Sequence, residues 1–290
     1  MEGKFSIGDA INYLVIFIFG FLCIFPFLYV FSISFTDPDV YIPLKFTVFP
    51  EKFSIRAYTW IIGTDSFINA MKSSVFVTVA GTILNLIVTF TAAYGLSRKE
   101  MPGNRLIMAL ITFTLVFSAG IVPNYILIKD LHMINSYSSI ILPVLTNAWS
   151  LVVVRNFMLE LPRELEEAAR IDGCNDLQVF ARVVLPLSGA VIATFTLFFA
   201  VAHWNSYFNT MIYITKSSKW TLPLLVKSMV VDSGAIGYAG GAGVGGDQKS
   251  VPQETIKMAT IVLSMLPVII LYPFLQKYFV KGVLVGAVKG

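Results

Sequence analysis

The sequence predicts an all-α, polytopic membrane helix bundle with six transmembrane helices. Of its 290 residues, 56% are hydrophobic and only 13% are charged, whereas globular proteins have roughly 25% charged residues. The charges are also unevenly placed, because six long windows contain no Asp, Glu, Lys or Arg. These windows are residues 10–36, 73–97, 106–128, 133–154, 183–215 and 258–276.

Each window is long enough to cross a bilayer as a helix, since about 20 residues span the hydrocarbon core. A buried core helix is an alternative for any single window, above all the shortest one, but six of them exceed what a soluble domain of this size can bury. The windows lack the period-2 alternation of barrel strands. The first window is too long for the apolar part of a signal peptide and is expected to remain as a span, kinked at Pro26.

The distribution of Lys and Arg predicts that both termini are cytoplasmic. With six spans, the side that holds the termini has 11 Lys and Arg in 59 residues, whereas the opposite side has 10 in 82. Six of the seven arginines lie on the side of the termini, and Arg56 is the exception. Positive residues concentrate on the cytoplasmic side of membrane proteins.

The chain divides into residues 1–72, the first transmembrane helix with an outer segment, and residues 73–290, a core with five transmembrane helices. Within the outer segment, residues 54–62 are expected to form a short interfacial helix. A glycine-rich outer stretch at 234–246 favours an irregular loop.

No feature of the sequence indicates an enzyme. The pattern Gly241-x-Gly243-x-x-Gly246 lacks the preceding strand of a dinucleotide site, and it is not followed by the Lys-Ser/Thr of a phosphate-binding loop. Two histidines and two distant cysteines make no metal site, so neither a catalytic nor a metal-binding residue is expected. The small net charge of +4 predicts no nucleic-acid partner.

The polar segment 155–182 predicts a helical hairpin between the fourth and fifth spans. Pro162 suits a first helical position, and the acidic residues that follow complement the helix dipole. Gly173 then provides a turn, and Asn175 with Gln178 forms a capping-box pair that starts a second helix. On this second helix, one face is expected to hold Leu177, Phe180 and Val184.

This hairpin resembles the EAA loop of the membrane subunits of ABC importers. The matching residues, with the family's spacing, are Glu167, Ala168, Ala169, Gly173, Leu185 and Pro186. Val183 replaces the usual Ile. The pair Trp204-Asn205, followed by Tyr207 and Phe208, and the tail 281–290 extend the resemblance to carbohydrate-uptake permeases of the maltose type.

The resemblance implies a type I ABC importer fold and a permease that has no ATPase activity of its own. It also implies a multi-pass protein of a bacterial-type plasma membrane. The EAA residues would form a coupling helix seated in a cytoplasmic ATP-binding subunit, which would hold the ATP and Mg. In the C-terminal tail, Gly286, Lys289 and Gly290 would contact the ATP-binding subunits. Further implied partners are an extracytoplasmic solute-binding protein, reached by the outer loop 232–254, and a second permease subunit, expected to be non-identical although a homodimer is an alternative.

Neutral polar and aromatic groups are the natural lining of a sugar path, because rings stack on sugar faces and amides bond hydroxyls. The residues of this kind near the span ends are Asn147, Trp149, Trp204, Asn205, Tyr207 and Asn209. Interfacial anchoring is the alternative for the aromatic ones. Asn85 is expected to make an interhelical hydrogen bond and His203 to be a satisfied packing residue.

Two other classes of protein compete with an ATP-driven importer. An ion-driven secondary transporter usually keeps ionisable groups within its spans, whereas the six windows contain no carboxylate and no Lys or Arg. A non-transporting scaffold would use the hairpin to bind a structural partner. Co-purification with an ATPase subunit separates the importer from the scaffold.

Overall fold

The computed structural model describes residues 7–42, 45, 49–98, 100–231 and 252–287, and these residues form helices joined by short connections. Pairing between extended segments in the described part is limited to an isolated bridge between Thr36 and Phe53. The helices are α1 Ile7–Ser34, α2 Arg56–Ile62, α3 Asp65–Ser97, α4 Asn104–Val116, α5 Ile121–Asp130, α6 Ser138–Ile141, α7 Ala148–Leu159, α8 Arg163–Ile171, α9 Asp176–Val179, α10 Leu185–Leu187, α11 Gly189–Trp204, α12 Tyr207–Tyr213, α13 Leu222–Val231 and α14 Gln253–Ala287.

The helices provide six membrane segments, as predicted, if each of three bent pairs is counted as one span. Helices α1, α3 and α14 are each long and apolar enough to cross a membrane alone. The other three segments are pairs of helices that meet at a bend: 119° from α4 to α5, 51° from α6 to α7, and 82° at the start of α11. The expected interfacial helix is also present as α2, and α1 continues through Pro26.

Local sequence explains two of these bends. Gly120, which precedes α5, has φ of 83°, a left-handed conformation that glycine adopts without the steric cost of a side chain. At the second bend, the Asn147 side chain accepts a hydrogen bond from the Ser150 N–H and caps α7. A new helix therefore begins at each point in a new direction.

The chain forms two compact units, residues 1–68 with 225–267 and residues 69–224 with 268–290. In the first unit, the segment after α1 is fixed by the carboxylate of Asp37, which pairs with Lys52 at 2.7 Å and with Arg56 at 3.6 Å. Tyr58 on α2 donates a hydrogen bond to Ser34 at the end of α1. The expected division of the chain at residue 72 stays a prediction about its organisation.

The second unit has an aromatic and aliphatic core. It is formed by α3, α7, α11 and the turn of π-helix over residues 180–184. Its buried members include Phe90, Val154, Phe180, Val184, Phe195 and Phe199. This core places the hairpin α8–α9 at one end of α3, beside Arg98.

Candidate functional site

The hairpin predicted from the sequence is present as α8 and α9. Pro162 precedes the first helical residue, one position before the expected place, and α8 runs from Arg163 to Ile171. The chain reverses at Gly173, whose φ is 85°. Asn175 and Gln178 form the predicted capping box, each side chain bonding the backbone N–H of the other at 2.9 Å. The local structure of the hairpin is therefore confirmed.

One carboxylate of α8 is buried and fixes the helix to the end of α3. Glu166 pairs with Arg98, and the two side chains are 8% and 22% exposed. The guanidinium of Arg98 also lies over the ring of Tyr94, 4.3 Å from its centroid. Burial opposes the charged form of Arg98, but the hydrogen bond and the charge of Glu166 outweigh it, so the pKa of Arg98 lies above its usual value.

The opposite face of the hairpin is open. Glu167 and Ala168 are exposed and Ala169 is half-buried. Two large apolar side chains accompany them, because Ile171 is 86% and Leu177 is 73% exposed. Exposed apolar groups of this size, next to an exposed carboxylate, are typical of a protein interaction surface.

The exposure of Leu177 shows that one expectation was wrong. Phe180 and Val184 are buried as a common face requires, but Leu177 does not share it. Leu177 lies in the first turn of α9, before the turn of π-helix over residues 180–184, and the buried face of this segment begins at Val179.

The other residues predicted to contact partner subunits follow the π-helical turn, lie near the end of α14 or fall outside the described residues. Leu185 is half-buried and Pro186 is exposed at the start of α10. Gly286 lies near the end of α14, while Lys289, Gly290 and the loop residues 232–251 lie outside the described residues.

A cavity of about 380 Å³ lies within the second unit. Amide, hydroxyl and aromatic groups dominate its lining. The residues are Asn85, Val144, Asn147, Trp149, Ser150, Phe198, Phe199, Ala202, His203, Asn205, Ser206, Phe208 and Asn209. No Asp, Glu, Lys or Arg is among these described residues, and the described part of the chain has no cluster of three or more potential metal ligands.

The cavity brings together four of the six residues proposed for a sugar path. Asn147, Trp149, Asn205 and Asn209 line it. Trp204 is buried and Tyr207 is half-buried, and neither belongs to the lining. The lining also includes Ser150, Ser206, Phe198 and Phe208, which were not predicted from the sequence. Among these four, only Phe208 could have been proposed, because it lies beside the predicted aromatic residues.

A buried polar contact supports the wall of this cavity. Asn85 donates a hydrogen bond from Nδ2 to the Val144 carbonyl at 3.1 Å, which confirms the expected interhelical bond. Its Oδ1 lies 3.0 Å from Nε2 of His203. A carbonyl only accepts, so the amide orientation is fixed and Nε2 of His203 carries the proton. Nδ1 of His203 has no partner among the described residues, so the ring is satisfied at one nitrogen only.

Gly81 leaves the space that the His203 ring occupies. A Cβ atom at Gly81 would lie 2.5 Å from Cε1 and Nε2 of that ring. Gly81→Ala is therefore expected to displace His203 and break its bond to Asn85, which lowers the free energy of unfolding by about 1–3 kcal/mol. Denaturant unfolding of the detergent-solubilised protein measures this. Gly189→Ala is the matched control, because no atom lies within 4 Å of its Cβ position, and an equal loss in both variants would contradict the predicted clash.

Asn135 joins two connections elsewhere in the second unit. Its N–H donates to the Tyr213 carbonyl at 2.9 Å, and its Oδ1 accepts from the N–H groups of Thr215 and Lys216 at 2.7 and 3.0 Å. Its carbonyl accepts from Nζ of Lys219 at 2.7 Å. The residue has φ of 61°, a left-handed conformation that Asn tolerates better than most residues. The loop after α5 and the loop after α12 are thus held by one side chain.

Comparisons with known proteins agree with these features. A family model described as a binding-protein-dependent transport system inner membrane component matches residues 5–285. The polygalacturonan/rhamnogalacturonan transport system permease protein YtcP of Bacillus subtilis (strain 168) is 41% identical over 287 residues, 99% of this chain and 100% of that protein. The trehalose/maltose transport system permease protein MalG of Thermococcus litoralis is 26% identical over 277 residues, 93% of this chain and 92% of that protein.

A solved structure is similar over nearly the whole chain. It is that of a bacterial ABC transporter involved in the import of the acidic polysaccharide alginate. One of its chains matches with a TM-score of 0.85 at 31% sequence identity, and the match covers 96% of this chain and 99% of that chain. At this level of identity and coverage, the two chains share a fold.

Proposed function

The chain belongs to the family of binding-protein-dependent transport system inner membrane components, and we propose that it is the permease subunit of an ATP-driven saccharide importer. It is a multi-pass protein of the bacterial plasma membrane and contributes no catalytic centre. In this proposal it forms the translocation path together with a second, non-identical permease subunit. A solute-binding protein delivers the cargo, and separate subunits bind ATP and Mg.

The observation that carries the proposal is the two-faced structure of α8. Glu166 anchors the helix inwards through Arg98, while Glu167 and Ala168 remain exposed beside Ile171. A helix held rigidly on one side and open on the other can transmit the movement of a docked partner to α3. Closure of the ATP-binding subunits on ATP would thus shift the spans between inward-facing and outward-facing states by rigid-body motion.

Only a difference in binding between the two states can drive such a shift. In this proposal, Glu167 pairs with a basic group on the ATP-binding subunit. The position of that basic group changes when nucleotide binds. Gly173 allows the reversal behind α8, and Leu185 and Pro186 continue the chain into the next span. In the tail, Gly286, Lys289 and Gly290 are proposed to contact the same ATP-binding subunits.

The cargo proposed is an oligosaccharide derived from an acidic polysaccharide. Two similar proteins support this class, because one is named for polygalacturonan and rhamnogalacturonan and another for alginate import. The path residues proposed in this chain are Asn147, Trp149, Trp204, Asn205, Tyr207 and Asn209. Four of them line the same cavity, which favours them over Trp204 and Tyr207 as direct contacts.

Glu167→Lys tests the coupling role. The reversed charge is expected to repel the basic group of the ATP-binding subunit, so ATP-dependent uptake falls at least about tenfold while the permease is still inserted in the membrane. Uptake and ATP hydrolysis are measured with the complete transporter in proteoliposomes. Glu164→Lys is the matched control, since Glu164 is also exposed on α8 but lies outside the motif. Unchanged uptake by Glu167→Lys would refute the docking role.

A further inference from the structure

The polar groups that line the cavity are largely unused by the protein itself. In the described part of the chain, the side-chain amides of Asn205 and Asn209 make no hydrogen bond, and Oγ of Ser206 is buried without a partner. Asn147 uses only its oxygen, as the cap of α7, and its NH₂ group remains available. Of these groups only the Ser206 hydroxyl is buried, whereas Asn147 and Asn205 are exposed and Asn209 is half-buried. Amides open to the cavity beside a buried hydroxyl without a partner form a set of donors and acceptors that a polar ligand can bind.

The same cavity offers aromatic surface next to these groups. The ring of Trp149 is half exposed and packs against Phe198, with centroids 6.3 Å apart. Phe208 adds a second exposed ring to the lining. Rings beside convergent amides match a pyranose, whose C–H faces are apolar and whose rim carries hydroxyls.

The groups that line the cavity are suited to binding hydroxyls rather than carboxylates. A hydroxyl donates and accepts, and so does a side-chain amide, whereas a carboxylate only accepts and would leave each amide oxygen unpaired. No cation in the lining offsets the cost of removing a carboxylate from water. Asn85 and His203 do not supply one, because they bond each other and the Val144 carbonyl.

We propose that this cavity binds the hydroxyls and ring faces of the saccharide and leaves its carboxylates to groups outside this cavity. The inference rests on the proposed function and specifies what this chain recognises. Asn205 and Asn209 are the hydrogen-bonding residues, and Trp149 is the stacking surface. Asn85, His203 and Gly81 act as positioning residues that hold the wall.

The test compares an acidic probe with its neutral counterpart. Uptake of trigalacturonate and of its carboxyl-reduced form, a neutral galactose trimer, is measured with the complete transporter in proteoliposomes. Asn209→Leu is expected to raise KM about tenfold for both probes, since it removes one hydrogen-bonding side chain. The ratio of the two KM values stays the same within about twofold, and the maximal rate is little changed.

Two controls make the result specific. Asn156→Leu changes an exposed asparagine outside the cavity and should leave both KM values unaltered. Asn205→Leu is the second cavity variant and replaces Asn209→Leu if that protein unfolds at a lower temperature. A parallel increase in KM for both probes, in the cavity variants only, supports the proposal.

Three results would overturn it. Unchanged KM values in both cavity variants mean that the cavity does not contact the saccharide. An increase in KM for trigalacturonate alone means that the cavity binds the carboxylate. Failure of the unmodified transporter to take up either probe excludes this substrate class. The proposed function is judged separately, because the Glu167→Lys experiment alters coupling at a site outside the cavity.

Discussion

Arg98→Met is expected to lower the free energy of unfolding by about 3–5 kcal/mol, since it leaves the carboxylate of Glu166 buried without its partner. Glu166 is 8% exposed, so water cannot replace the guanidinium unless α8 moves away from α3. Methionine retains much of the length and apolar volume of the arginine stem. The loss can therefore be assigned to the charge pair, and denaturant unfolding in detergent measures it.

A double variant and a surface pair provide the controls. Arg98→Met combined with Glu166→Met removes both charges, and it is expected to recover most of the stability, because apolar residues can replace a buried ion pair at little cost. Arg163 pairs with Glu100 at 3.5 Å on the surface, and Arg163→Met should change stability very little. A double variant as unstable as Arg98→Met would contradict the assignment to an unpaired carboxylate.

The position of α8 can be followed through Cys174. This residue is half-buried directly after α8, and its N–H donates to the Ala169 carbonyl at 3.0 Å. In a Cys23→Ser background, release of α8 in Arg98→Met is expected to speed the reaction of Cys174 with a maleimide. Glu167→Lys should leave this rate unchanged, since Glu167 is exposed and the anchor of α8 is Glu166. The two adjacent glutamates thus have separable roles, one in anchoring and one in docking.

The six spans were predictable because membrane crossing depends on average properties of about 20 residues. The bends were not, since a window free of charges can hold one helix or two. Gly120 was visible in the third window, but a glycine permits a φ of 83° without requiring it, so its presence alone does not predict a bend. The bend before α11 follows a turn of π-helix that left no signal in the apolar pattern.

The hairpin was predictable where its signals were local. Gly173 and the pair Asn175 and Gln178 act within a few residues, and each does what its sequence position indicates. The anchor of α8 was not predictable, because Arg98 lies 68 positions before Glu166. Neighbouring glutamates have similar local sequence, so only tertiary packing decides which of them is buried.

At the cavity too, the sequence predicted the type of residue but not the side of the helix on which each residue lies. Of the neutral polar and aromatic residues predicted near the span ends, Asn147, Trp149, Asn205 and Asn209 meet at one cavity. Trp204 has the same type and adjoins Asn205, yet it faces the protein interior. Composition identifies candidates of this kind, but the rotation of each helix selects among them.

Asn135→Ala is expected to lower the free energy of unfolding by about 2–3 kcal/mol, from lost hydrogen bonds and an unfavourable left-handed backbone. The N–H groups of Thr215 and Lys216 lose the Oδ1 acceptor. Alanine, in addition, does not readily adopt the φ of 61° found here. Denaturant unfolding measures the loss, and uptake should fall with it, because two connections of the second unit lose their common support.

Two further substitutions separate the two causes. Asn135→Asp retains an acceptor oxygen and should stay close to the unmodified protein, whereas Asn135→Gly retains only the backbone freedom and should lose the side-chain bonds alone. His132 has a similar φ of 55°, so His132→Gly is expected to raise stability slightly by relieving strain. If Asn135→Ala and Asn135→Asp proved equally stable, the Oδ1 bonds would contribute nothing, and the loop after α12 would be held by other contacts.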